Sequence, residues 1–96
     1  MRMRGIIMNE TYSINCSPIK NISGIDAFII NFVRHSKTRR YSMDRLSIQM
    51  PGYIVLRNKG FETSEIDEID AYIKDHLGVL VDMALDSTER LIAAEA

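Results

Sequence analysis

Between Glu62 and Ala96 the apolar residues recur at helical spacing. Ile66, Ile69, Ile73, Leu77, Leu80, Ala84 and Leu91 share one stripe, and Asp67, Glu68, Lys74, Asp75, Asp82, Asp86 and Glu89 gather on the other side. The stripe keeps its phase through Gly78, so the pattern predicts one unbroken amphipathic helix, capped by Thr63 or Ser64; the rival reading is a break at Gly78, with Lys74 and His76 in a closing turn. The acidic residues of its first turns suit the positive end of the helix dipole.

Upstream, the period changes. Tyr12, Ile14 and Cys16 alternate with Ser13 and Asn15, predicting a short strand from Glu10 to Cys16 that ends at Ser17-Pro18. Ile25, Phe28, Ile29, Phe32 and Val33 fit the i, i+3, i+4, i+7, i+8 spacing of a core-facing helix, with Ser23 and Asp26 as a weak capping box. A strand through Phe28–Val33 is the competing reading, because β-branched and aromatic residues crowd that stretch. Leu46, Ile48 and Met50 alternate with Arg45, Ser47 and Gln49. Pro51-Gly52 supplies a turn, and Tyr53 to Arg57 a second strand, so residues 43–58 read as an antiparallel hairpin. Residues 1–10 read as a flexible leader, with Met8 an alternative start. The expected architecture is therefore a single α+β domain over residues 11–96: a short strand, a helix, a hairpin and a long C-terminal helix.

Composition changes this picture little. The 96 residues hold one core, and 46% hydrophobic with 26% charged is ordinary for a globular chain. Cys16 is the only cysteine, which excludes an intrachain disulfide and a thiolate zinc site; its place in the alternation makes it a buried thiol. No run approaches the ~20 apolar residues of a membrane span, and the N-terminus is too short in apolar residues for a secretory signal. A cytoplasmic protein without membrane contact is the expectation.

Charge changes it more. The net charge of −1 conceals ten basic against three acidic residues in 1–60 (+7) and two basic against ten acidic in 61–96 (−8). Such asymmetry bears on partners rather than on fold.

No constellation points to catalysis, cofactor or metal. His35 and His76 lie in different elements without ligand-spaced neighbours, the glycines are isolated, and the carboxylates line one helix side instead of occupying contrasting environments. The expected function is non-enzymatic: a small protein that binds and inhibits or regulates another macromolecule, in the manner of an inhibitor, an immunity or antitoxin protein, or a phage-encoded antagonist of a host system. Another protein is the expected partner, met through the acidic residues Asp67, Glu68, Asp75, Asp82 and Asp86; homodimer and monomer stand on equal footing. The alternative is a nucleic-acid-binding regulator that grips phosphates with the basic segment Arg34, Lys37, Arg39, Arg40, Tyr41 and Arg45.

One family resemblance attaches to that alternative. Arg45-Leu46-Ser47-Ile48-Gln49-Met50-Pro51 resembles the strand of ribbon-helix-helix repressors, whose alternate polar residues enter the major groove. Gly60-Phe61 ahead of Thr63, Ser64, Glu65 and Ile66 resembles the turn into that family's second helix. The departure lies between them. Only Gly52 to Lys59 remains for a first helix, and Tyr53–Leu56 prefers a strand.

Overall fold

The computed structural model describes residues 2–36, 38 and 40–95, with only the backbone of Glu95. The fold is α+β. Six strands, β1 (Arg2–Ile7), β2 (Glu10–Cys16), β3 (Lys20–Ile22), β4 (Ile25–His35), β5 (Met43–Met50) and β6 (Ile54–Lys59), precede two helices, α1 (Thr63–Asp75) and α2 (Leu77–Glu95). All pairings are antiparallel, in the order β1-β2-β4-β5-β6, with β3 folding back on the start of β4.

β2 and the β5–β6 hairpin form where the alternation places them. The hairpin turn uses positive φ at Gly52 and Tyr53. A bulge at Ser47/Ile48 leaves Leu56 outside the ladder.

Two expectations about the N-terminal half are overturned. Residues 2–7 are not a loose leader: they form an edge strand in register with β2, from Arg2↔Asn15 to Ile7↔Glu10. Residues 25–35 are not a helix but β4, the central and longest strand. Phe28, Ile30 and Phe32 point into the core, while Ile29 and Val33 lie half-buried on the opposite side of the sheet. A strand apolar on both sides satisfies helical spacing by coincidence, and its β-branched and aromatic content decides the outcome. The ribbon-helix-helix resemblance fails for a related reason. Ile54–Lys59 is β6, paired with β5, so no helix follows the Arg45–Pro51 strand.

Both helices pack on one side of the sheet. Ile14, Ile30, Phe32, Leu46 and Ile48 meet Ile69, Ile73, Leu80, Met83 and Ala84 in one buried cluster, each large aliphatic contributing about 1.5–3 kcal/mol on burial. The end of β2 anchors α2. Ser87 Oγ donates to the carbonyl of Cys16 (2.8 Å), and the Ile19 amide donates to Thr88 Oγ1 (2.9 Å).

The C-terminal helix is not one unbroken rod. His76, at φ −118° and ψ 19°, separates α1 from α2, two residues before Gly78. The carbonyl of Tyr72 receives both the His76 amide (3.0 Å) and its ring Nδ1–H (2.9 Å), while the two rings stack at 4.0 Å. A side chain competing for a helix carbonyl is a recognised cause of bending. The apolar stripe survives the bend only in part: Ile73 and Leu80 are fully buried, but Leu77 and Leu91, expected on the same stripe, are 39% and 45% exposed. The start also differs from expectation. Glu62 is the N-cap, and Glu65 Oε1 accepts its amide at 3.0 Å.

Candidate binding face

Because both helices lie on one side, the other side of the sheet carries no layer among the described residues. Register places its side chains in rows that cross all five main strands. One row runs Arg2, Asn15, Asn31, Ser47, Arg57; the next, two residues along each strand, runs Arg4, Ser13, Val33, Arg45, Lys59. Arg2, Arg4, Arg45, Arg57 and Lys59 are all exposed. No carboxylate falls on either row.

The centre of the first row is knit by hydrogen bonds of one polarity. Ser47 Oγ–H donates to Asn31 Oδ1 (2.7 Å), and Asn31 Nδ2–H donates to Asn15 Oδ1 (3.0 Å). Asn15 Nδ2 then stands at the donor end of the chain, beside Arg2. A depression of about 260 Å³ opens over this centre, lined by Asn15, Asn31, Arg45, Ser47 and Arg57. Two arginines and two asparagines are among its lining residues, with Val33 beside them. That chemistry suits anions.

The expected basic segment is divided by the fold. Arg34 does not belong to any contact surface: as an inward position of β4 it is only 4% exposed. Its Nε–H donates to Asp44 (3.0 Å), Nη1–H to Tyr12 Oη (3.0 Å) and Glu10 (3.1 Å), and Nη2–H to the carbonyl of Gly60 (2.9 Å). Glu65 of α1 also pairs with it, and the Phe61 ring lies 4.1 Å from the guanidinium carbon. Burial pulls the Arg34 pKa down, but hydrogen bonds to Glu65, Asp44 and Tyr12 outweigh this and leave it raised. Burial also raises the Tyr12 hydroxyl, partly offset by Arg34. This cluster ties β2, β4, β5 and α1 together.

Of the other expected residues, Arg40 and Tyr41 are exposed in the β4–β5 loop, the guanidinium 5.5 Å from the ring centroid, and Arg45 lies on the uncovered face. Lys37 and Arg39 lie outside the described residues. Arg2, Arg4, Arg57 and Lys59 escaped the sequence reading. The signal was present as alternation, with Arg2 and Arg4 interleaved with Met3 and Gly5 and Arg57 two before Lys59, but only the pairing register unites them.

The acidic residues stand on the far side. Asp67, Glu68, Asp75 and Asp82 are exposed on the outward surface of α1 and α2, while Asp86 is partly buried and paired with Arg90 (3.1 Å). The division of charge along the sequence thus becomes a division between two opposite sides of the molecule. Among the described residues no three His, Cys, Asp or Glu side chains are grouped to hold a metal ion, and no helix is long and apolar enough to cross a membrane. No family model matches the chain, and no curated protein or solved structure matches it.

Proposed function

We propose that this protein acts without catalysis, by binding another macromolecule, and that its uncovered sheet face is the surface that does so. The observation that carries this reading is the pair of adjacent rows bearing five cations and no carboxylate. A face of one sign steers an oppositely charged partner and raises the encounter rate, so the partner presents excess negative charge there. Inhibition or regulation then follows by occlusion of whatever the partner's own surface would otherwise meet.

Immobilised heparin, a generic polyanion, tests the reading. The parent protein is expected to be retained, and Arg45→Glu with Arg57→Glu to elute at clearly lower salt. Asp75→Lys with Asp82→Lys, on the far side, should not elute earlier than the parent. Equal elution of the parent and the sheet variant would exclude the face as the binding surface.

A second reading rests on the helix side. There Leu77, Val79 and Leu85 are 39–49% exposed among Asp75, Asp82 and Asp86. Exposed apolar side chains on a helix that also bears carboxylates suit a basic protein partner better than a polyanion. Capture of such a partner, lost on reversal of Asp75 and Asp82, would assign that surface instead.

A further inference from the structure

We propose that the occupant of the uncovered face is a nucleic-acid duplex, held by its phosphates independently of sequence. This inference rests on the reading of that face given above and names its partner.

The cations form two tracks. Arg2 and Arg4 stand on one edge strand, Arg57 and Lys59 on the other, with Arg45 just inside. Four strand-to-strand gaps of about 4.8 Å separate the tracks by roughly 19 Å. Between them lie Asn15, Asn31 and Ser47 in one row and Ser13 and Val33 in the next, a trough without charge whose one apolar member is Val33. A ligand matching this layout has two anionic rails flanking a neutral, hydrogen-bonding trough. A duplex has that form: its major groove is about 12 Å wide between two phosphate strands, within the span of long side chains leaning inward. Along each edge the cations are two residues apart, about 6.8 Å at ~3.4 Å per residue, equal to the axial rise of two base-pair steps at about 3.4 Å each.

Two competing occupants fit less well. Single strands are held by aromatic platforms on which bases stack, and the two rows carry no aromatic side chain. Protein interfaces centre on apolar and aromatic anchors with polar rims; here the centre is mainly Asn and Ser, and its one apolar side chain, Val33, is half-buried. Five strands are also too wide to enter a groove as a ribbon does, so the sheet lies across the phosphates instead of reading base edges.

The test is binding of 20-bp DNA and RNA duplexes, and of their single strands, from 50 to 200 mM salt. Five neutralised phosphates give a slope of about −4.5 in log affinity against log salt, a loss of roughly 500-fold over that range. Arg45→Gln with Arg57→Gln should flatten it to about −2.7, roughly 40-fold, with circular dichroism reporting an unchanged fold. Duplexes should bind more tightly than single strands, and preference for one duplex assigns the source of the phosphodiester. Tighter binding of single strands, or a duplex slope untouched by the double variant, would overturn the proposal. Absence of duplex binding alongside heparin retention that still depends on Arg45 and Arg57 would also overturn it, while leaving the binding face intact.

Discussion

Arg34 and Asp44 face each other directly in the β4–β5 register and join through Nε–H···Oδ2 at 3.0 Å. Glu10 and Glu65 reach the same guanidinium from β2 and α1. Replacing Arg34 by Met would leave carboxylates buried without their cation, at a cost of about 3–5 kcal/mol. Asp44→Asn, which keeps an acceptor in place, should cost about 1–3 kcal/mol. Urea unfolding of the two variants checks the ranking. Equal stability of Arg34→Met and the parent would show that the cluster does not tie the elements together.

Gly60 serves the same cluster through its backbone. Its φ is +95°, and a Cβ there would collide with the Asp44 carboxylate. Gly60→Ala therefore combines left-handed strain with displacement of Asp44, an expected loss of about 1–3 kcal/mol. Thermal denaturation should register a fall of at least about 4 °C.

Asp70 offers a pH dependence of defined sign. Burial, then the charge of Asp67, raises its pKa above the usual 3.8, and its Oδ1 is buried without a hydrogen-bond partner. In the window above 3.8 the folded state holds a proton that the unfolded chain has released, so stability falls as pH rises through it. Asp70→Asn should therefore gain on the parent between acidic and neutral pH, with the gap vanishing near pH 3. Unfolding midpoints across that range provide the check, and a constant gap would remove Asp70 as its source.

Cys16 is 5% exposed, and burial pushes its thiol up to about 11. Aromatic disulfide reagents at pH 8 should label it only at the rate of unfolding. Denaturant should release the full stoichiometry at once. Rapid labelling of the native protein would contradict a core position.

How much of this was legible in advance depends on whether one period or two fitted each stretch. Tyr12-Ile14-Cys16 and Leu46-Ile48-Met50 alternate cleanly, and β2 and β5 form there. β4 did not announce itself because Ile29 and Val33 are apolar on the uncovered side, filling helical positions, while its inward Arg34 reads as a surface charge until the surrounding carboxylates are seen. β1 was hidden by Gly5, whose small size is set by Tyr72, the helix residue that a Cβ there would strike. The binding face was less legible still. Arg2, Asn15, Asn31, Ser47 and Arg57 span 55 positions of sequence and become neighbours only through pairing.

A near-zero net charge would ordinarily forecast indifference to ion-exchange media. With carboxylates outward on the helices and cations outward on the sheet, the two charged sheets are separated by at least a helix diameter, about 10 Å, more than the screening length of about 8 Å at physiological ionic strength. A resin bead therefore senses one side at a time. The protein should adsorb to both quaternary-amine and sulfonate columns in the same buffer, turning over between them as a magnet does between poles.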